Sequence, residues 1–312
     1  MTMGETYDVL ILGAGPAGLA AGIYTGRARL NTLILEKAIP GGQILMTDLV
    51  ENYPGFPDGV VPMELMEGFR KHAEKFGARI ETDEARSLRR EKDLWVVTGE
   101  NREYAARAVI VTTGSAYKRL GLANEARLIG RGVSYCATCD GAFFRDVPIA
   151  VLGGGDNALT EALFLTKFAS KVYLIHRRDK FRATRILHER VMANPKVEVL
   201  WDTVIQAIHG ENKLEGLTLE NVRTGAASKI AVEGLFVSIG MVPSTDFLGD
   251  LVHLNEWGQV KVNQNMEAGR PGLYAAGDCC NACPQQMATA VGTGVTAALA
   301  VDAYLQGLGS AG

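Results

Sequence analysis

Short apolar runs broken by glycine set the rhythm of this chain. Residues 7–12 (YDVLIL) have the length and composition of a buried strand. The glycine turn Gly13-Ala14-Gly15-Pro16-Ala17-Gly18 follows at once. Residues 19–29 are alanine-rich and suit a helix, and residues 32–35 are a second apolar strand ending at Glu36. The order then returns. Residues 147–152 are an apolar strand, followed by Gly153-Gly154-Gly155-Asp156-Asn157-Ala158, a helix-compatible stretch at 159–169 and a strand at 171–175 that ends at His176. Gly13 to Glu36 and Gly153 to His176 are both 23 positions (36 − 13 and 176 − 153). This agreement predicts an internal repeat of one strand–turn–helix–strand unit.

The remaining pattern completes both copies. Residues 63–76 are periodic as an amphipathic helix, and 78–111 read as strands and turns, ending in the run 108–113 and Gly114. In the second copy a helix at 184–193 precedes short strands and turns, which end in the run 234–240 at Gly240. A strand at 272–278 ending in Asp278 and a long alanine-rich helix at 285–305 close the chain. These last elements belong with the first copy. The second is therefore inserted into the first, through crossings near 116–120 and 243–246.

Composition narrows the classes. Hydrophobic residues are 47% and charged residues 21% of 312, as in an ordinary globular protein. A net charge of −3 without a long basic run argues against a nucleic-acid partner. No uninterrupted apolar stretch reaches the ~18 residues of a membrane span. Residues 1–7 are polar and lack the basic-then-apolar layout of a signal peptide. The expected location is the cytoplasm, where thiols are normally reduced. Five cysteines, in the groups Cys136/Cys139 and Cys279/Cys280/Cys283, are too few for a disulfide framework and point to chemistry or metal binding.

The glycine turns carry specific physics. Gly13 permits the tight turn, Gly15 lets backbone approach a pyrophosphate, and Gly18 lets helix and strand pack closely. The helix then presents free N–H groups and its positive dipole end to the phosphates. Glu36 is placed to accept hydrogen bonds from ribose hydroxyls. Gly153, Gly155 and Ala158 repeat the three key positions in the second copy. There the strand ends in His176-Arg177-Arg178 instead of an acid. An acid repels a 2′-phosphate, whereas Arg177 and Arg178, helped by Arg182, grip one with charge-assisted forks. The pattern asks for one nucleotide without a 2′-phosphate and one with it, and FAD with NADPH is the natural pair. The expected fold is α/β: two Rossmann-like dinucleotide-binding domains of the three-layer FAD/NAD(P)-binding type, the second inserted in the first. Residues 1–117 and 246–312 form the FAD domain, and residues 118–245 the NADPH domain.

Cys136-Ala137-Thr138-Cys139-Asp140-Gly141 lies just before the second copy. In the cytoplasm such a pair is redox-active or half of a metal site. No CxxC or HxxxH partner stands at the standard zinc-finger spacing, although the three C-terminal cysteines could complete a site. A thiol pair beside a hydride-fed flavin has another use: one thiolate attacks the flavin ring, and the other an external disulfide. Asp140 can move protons to and from the departing thiolate if burial raises its pKa.

With these residues in view, the chain resembles the bacterial and archaeal low-molecular-weight thioredoxin reductases. The resemblance rests on 13–18, Gly41-Gly42-Gln43, 136–141, 153–158, 176–182 (HRRDKFR), 275–278 and the final helix, in order along essentially the whole chain. It implies a homodimer that passes hydride from NADPH to FAD, then electrons to the CxxC, then to thioredoxin. Cys139 would be the flavin-proximal thiol, Cys136 the thiol that attacks thioredoxin, and Asp140 the acid/base. The FAD contacts would be Gly13, Gly15, Ala17, Gly18, Glu36, Gly41, Gly42, Gln43, Asn52, Gly114, Asp278 and Gln286. The NADPH contacts would be Gly153, Gly155, Asp156, Asn157, Ala158, His176, Arg177, Arg178, Arg182 and Gly240. No resident metal is expected.

Two features depart from the family pattern. The last helix usually opens with Arg-Gln-Ala, where this chain has Gln285-Gln286-Met287. Gln286 keeps a flavin contact and the arginine's contact is lost. Cys279, Cys280 and Cys283 are the other departure, read as small residues lining a turn or as an accessory redox or metal group. Alternatives to the main reading keep the flavin and the CxxC. They change the acceptor to a glutaredoxin-like protein or peroxidase module, or the donor to NADH or ferredoxin. A non-enzymatic flavin-binding or redox-sensing module has no use for a phosphate-gripping second site and a CxxC together.

Overall fold

A computed structural model describes residues 5–46, 49–282 and 284–309. The chain divides into two compact units. One comprises the residues up to Leu45, Leu49–Ala116 and those from Val242 onward, and the other Tyr117–Met241 together with residues 46–48. The segments that lead out of the first unit and back, Ser115–Tyr117 and Met241–Pro243, pair as a two-stranded ribbon.

In the first unit, strands Arg79–Thr82, Thr32–Glu36, Thr6–Leu12 and Glu103–Val111 lie side by side and parallel. Glu103–Val111 is long enough to serve two further neighbours. Its first half pairs antiparallel with Leu94–Thr98, which pairs in turn with Ser87–Glu91. Its second half pairs parallel with Leu273–Ala275. Side chains alternate across this sheet, as strand geometry requires. Val9, Ile11, Ile34, Ala108 and Ile110 face the helices Pro16–Arg27, Pro62–Lys75 and Met287–Gly309. Leu10, Leu12, Leu33, Leu35, Val109 and Val111 face the opposite layer, with Trp95, Val97, Leu248 and Val260. Both faces are apolar, which is why the strands read as continuous runs.

The second unit repeats the order. Strands Val197–Leu200, Lys171–Ile175, Pro148–Gly153, Gly234–Ser238 and Val133–Ser134 form an all-parallel sheet, with helix Asp156–Leu165 after the glycine turn. Thr203–His209, Gly216–Asn221 and Ala227–Ile230 make a separate antiparallel sheet, the counterpart of the 87–98 hairpin. In both units the strand before the glycine turn is central, with the second and third strands on one side and the fourth on the other. The protein thus has the α/β class of two Rossmann-like folds.

The final helix packs on the sheet of the first unit. Met287–Leu308 is long and apolar enough to cross a membrane by length and composition, although no uninterrupted apolar run in the sequence suggested a span. Its Ala290, Ala297, Ala298, Val301 and Leu305 lie in the core of the first unit, so its apolarity is used in packing. The contact with helix Pro16–Arg27 is a backbone contact: a methyl group on Gly294 would lie 2.1 Å from the Ala17 carbonyl oxygen. Thr293 Oγ1 accepts the Gly277 N–H at 3.0 Å and ties the preceding turn to the same point. Gly294→Ala should therefore push the two helices apart at the mouth of the first glycine turn. The expected loss is about 1–3 kcal/mol, typical of overpacking, measured by urea unfolding. An unchanged midpoint and slope would contradict the contact.

Candidate active site

The first glycine turn is shaped by its own backbone. Gly13 has φ +108°, and a methyl group there would lie 2.4 Å from the Thr112 carbonyl oxygen. A methyl on Gly18 would lie 1.9 Å from the Gly13 oxygen, so helix and strand are in direct contact. Gly15 is different. The sole atom a methyl there would approach within 4 Å is Gly42 Cα, at 3.9 Å. The bare backbone at Gly15 is therefore not required by the protein's own packing and leaves an open cradle. Helix Pro16–Arg27 starts from this residue with proline in its first turn and no side-chain cap. Its first N–H groups and positive dipole end are left to an anion.

The other expected residues of the first unit surround this cradle. Gly41 donates its N–H to the Ala14 carbonyl at 2.8 Å, which stacks the Gly41-Gly42-Gln43 turn on the glycine turn. The Gln43 amide donates to the Ser115 carbonyl. Glu36 accepts the N–H groups of Ala14 (2.8 Å) and Ala38 (3.1 Å), which fixes its carboxylate at the strand end. Asn52 Nδ2 donates to Gln286 Oε1 at 3.0 Å and joins two residues 234 positions apart. Gly114 (φ +64°) has no atom within 4 Å of a built methyl. Ala17 is buried, so only its backbone faces the cradle. Burial pushes the Asp278 carboxyl above the ordinary aspartate range, and its carboxylate has no hydrogen-bond partner among the described residues. These residues fit a dinucleotide: N–H donors for phosphates, acids for ribose or ribityl hydroxyls, and glycine where backbone must come close.

The second cradle has the same frame. Methyl groups on Gly153 would strike the Ser238 oxygen (2.3 Å) and Ala158 (2.5 Å), while Gly155 has open space. Gly155 starts helix Asp156–Leu165, again without a side-chain cap. Asn157 and the side chains of Arg177, Arg178 and Arg182 are exposed, and none of these arginines is ion-paired among the described residues. Gly240 (φ +108°) is exposed with open space around it. Two expected contacts are turned elsewhere. Asp156 Oδ1 accepts the Thr184 N–H at 2.6 Å, so it holds the arginine segment instead of facing the cradle. His176 is 5% exposed, with its ring beneath Gly154. Burial, aided by Arg182 and Arg178, holds its pKa below the ordinary imidazole range against bonds to the Lys180 and Gly153 backbone.

Cys136 and Cys139 are joined in a disulfide with Cα atoms 5.4 Å apart. Cys136 caps the short helix Ala137–Asp140: its Sγ accepts the Cys139 N–H at 3.1 Å. Ser134 Oγ accepts the Cys136 N–H at 3.0 Å and anchors the turn from the other side. The two sulfurs are not equivalent, because Cys136 is 9% exposed and Cys139 lies open to solvent. Asp140 is half-buried beside them, and its carboxylate has no hydrogen-bond partner among the described residues. Cys279 and Cys280 are buried, with Sγ donors on backbone carbonyls at 3.2–3.4 Å. Burial pushes the Cys279 thiol up to about 12, which leaves almost no nucleophilic thiolate near neutrality. Cys283 lies outside the described residues.

Glu161 was not singled out by sequence. An acid in a helix usually reads as a solvated position, and only its place on the glycine-turn helix, six residues past Gly155, sets it apart. It is half-buried with its carboxyl turned inward, bonded to Ser238, and pushed up to about 8 by burial of that carboxyl, while Oε2 has no partner among the described residues. The folded chain holds this proton more tightly than the unfolded chain. Stability from this group is therefore present at low pH and falls as pH rises from about 4.5 to about 8. Glu161→Gln should flatten the stability–pH curve over that window and raise stability at its upper end. Unfolding titrations at several pH values check this, and parallel curves would contradict it.

Comparison with known proteins agrees with this geometry. The family model for pyridine nucleotide-disulphide oxidoreductases matches residues 7–294. A thioredoxin reductase of Bacillus subtilis strain 168 is 45% identical over 309 residues, 99% of this chain and 98% of that one. Among solved structures, Lactococcus lactis thioredoxin reductase, in a structure described as the FR conformation, superposes with TM-score 0.94 at 37% identity, covering 96% of this chain and 99% of that one. T. acidophilum thioredoxin reductase gives TM-score 0.91 at 33% identity, covering 98% of this chain and 100% of that one. Two open dinucleotide cradles, a redox disulfide and full-length similarity lead to one assignment: the chain belongs to the pyridine nucleotide-disulphide oxidoreductases, among the low-molecular-weight thioredoxin reductases.

Proposed function

We propose that this chain is a thioredoxin-disulfide reductase that takes electrons from NADPH through FAD and the Cys136–Cys139 disulfide, as a cytoplasmic homodimer. The observation that carries the reading is a CxxC disulfide in a chain that also holds two uncapped glycine cradles of unlike charge. Glu36 at the first strand end favours FAD, which has no 2′-phosphate. The unpaired Arg177, Arg178 and Arg182 favour NADPH over NADH. Exposed Tyr24, Leu299 and Leu308 on helices of the first unit support pairing with a second copy.

Bound flavin supplies a carrier that accepts hydride from the pyridine nucleotide and delivers two electrons to the disulfide. The chain's residues do the rest. Gly15 and Gly155 admit the two pyrophosphates, and Glu161, protonated at neutral pH, offers a hydrogen bond near the end of strand Gly234–Ser238. Reduction of the disulfide leaves two thiols. The Cys139 N–H and the helix start beside Cys136 stabilise a thiolate there. That thiolate attacks one thioredoxin sulfur, the thioredoxin S–S bond breaks, and the released thiolate takes a proton from Asp140 or water. The Cys139 thiolate then attacks Cys136 Sγ, displaces the second thioredoxin thiolate, and restores the disulfide. Two electrons and two protons pass to thioredoxin. The reading keeps Cys139 as the sulfur next to the flavin and Cys136 as the one that attacks thioredoxin.

Two measurements test this. Purified protein should reduce thioredoxin with NADPH, and Cys136→Ser and Cys139→Ser should each abolish the activity. Offered a single-cysteine thioredoxin activated with Ellman's reagent, Cys139→Ser, which keeps Cys136, should form a disulfide-linked adduct far faster than Cys136→Ser. The reverse order would give the attack to Cys139. For the nucleotide, replacing Arg177 and Arg178 by Ala removes charge-assisted contacts worth roughly 1.5–3 kcal/mol each. KM for NADPH should rise at least about tenfold while KM for NADH stays nearly constant. Equal use of both nucleotides by the unmodified protein would refute the NADPH assignment.

A further inference from the structure

The two repeats place different residues 23 positions after the turn glycine, yet both reach back to the same spot. In the first, Glu36 accepts the Ala14 N–H, from the residue between the first two glycines. In the second, the His176 ring lies against Gly154, the equivalent residue: a methyl group on Gly154 would be 2.2 Å from Cε1 and Nδ1. This accounts for a glycine at 154 where the first copy has alanine. The ring is a bridge. Nε2 donates to the Lys180 carbonyl at 3.0 Å, and a second bond joins the ring to the Gly153 backbone.

The loop carrying the arginines is folded over this ring. Phe181 packs on Trp201 (centroids 4.4 Å apart), and both rings flank His176 at 5.6 and 6.1 Å. Arg182 N–H donates to the Gly154 carbonyl at 2.8 Å. Asp156, at the helix start, accepts the Thr184 N–H. The glycine turn and the arginine loop are thus stitched at three points, and the imidazole is the one that reaches both backbones through a side chain. A ring so enclosed presents no edge to a phosphate.

We propose that His176 is a positioning residue that couples the two anion sites of the second unit, locking the Arg177–Arg182 loop onto the glycine turn so that its guanidinium groups are pre-set for a 2′-phosphate. The inference rests on the reading that this unit binds NADPH. It differs from a direct His–phosphate contact in acting only through the arginines.

The test uses the purified full-length protein and two probes, adenosine 2′,5′-bisphosphate and adenosine 5′-monophosphate, by calorimetry. His176→Ala should weaken the bisphosphate about tenfold, within the usual span of coupling between sites, and leave the monophosphate nearly unchanged. Gly154→Ala, which displaces the ring without removing it, should do the same, and His176→Asn should restore part of the loss. In an Arg177→Ala/Arg178→Ala background the His176→Ala effect should vanish. Its persistence there, or equal weakening of both probes, would overturn the proposal. Trypsin cleavage within 177–182 of the nucleotide-free protein should speed up in both variants, and unchanged cleavage would also overturn it. If the unmodified protein fails to prefer the bisphosphate, the NADPH reading itself falls, independently of the cleavage result.

Discussion

Everything in this molecule is arranged around backbone N–H groups that the protein leaves unsatisfied at two helix starts. A helix of this kind begins with N–H groups that need partners, and here no side chain caps either one. Elsewhere such a start would cost stability. Here the open space above Gly15 and Gly155 leaves the first turn to a phosphate. The surrounding contacts are demands that follow from this choice. Glycine must stand wherever the neighbouring backbone crowds the turn, as Gly13 and Gly18 show. The long C-terminal helix must approach through Gly294, because any side chain there would strike the Ala17 backbone at the first helix start.

The repeat shows how one frame takes two chemistries. Its strands, turn and helix are common to both units, and the divergence sits at the end of the second strand. Glu36 is held there by two backbone donors. The second unit buries a ring at that position and moves its charge outward onto three unpaired arginines. The disulfide is a third element with an asymmetry of its own: the Cys136 sulfur caps the short helix that carries Cys139.

Much of this was legible in the sequence because its causes are local or periodic. Gly13, Gly18 and Gly153 answer to contacts within or beside one turn, and the central strands are buried on both faces, so they read as unbroken apolar runs. The acid Glu36 and the arginines stand at strand ends that the spacing locates. The rest depends on contacts between distant segments. Nothing near Gly294 announces Ala17, and nothing near Asn52 announces Gln286. His176 stands beside arginines and reads as one more cation, although tertiary packing turns its ring inward. Glu161 reads as a solvated helix position, and only burial reveals its held proton. Cys136 and Cys139 share one turn, so spacing could not separate the sheltered sulfur from the open one.

The double use of strand Glu103–Val111 bears on how the molecule comes into being. Its second half is complete only when Leu273–Ala275 arrives, and the sheet face only when Met287–Gly309 covers it. During synthesis the first unit therefore waits, its apolar sheet partly uncovered, until residues 273–309 have left the ribosome. The second unit has the strands of its parallel and antiparallel sheets within 133–238 and can close earlier. Pairings across such separations form slowly and expose sticky surface meanwhile. The half-built first unit is thus the species that exposes apolar sheet longest while the chain is being made.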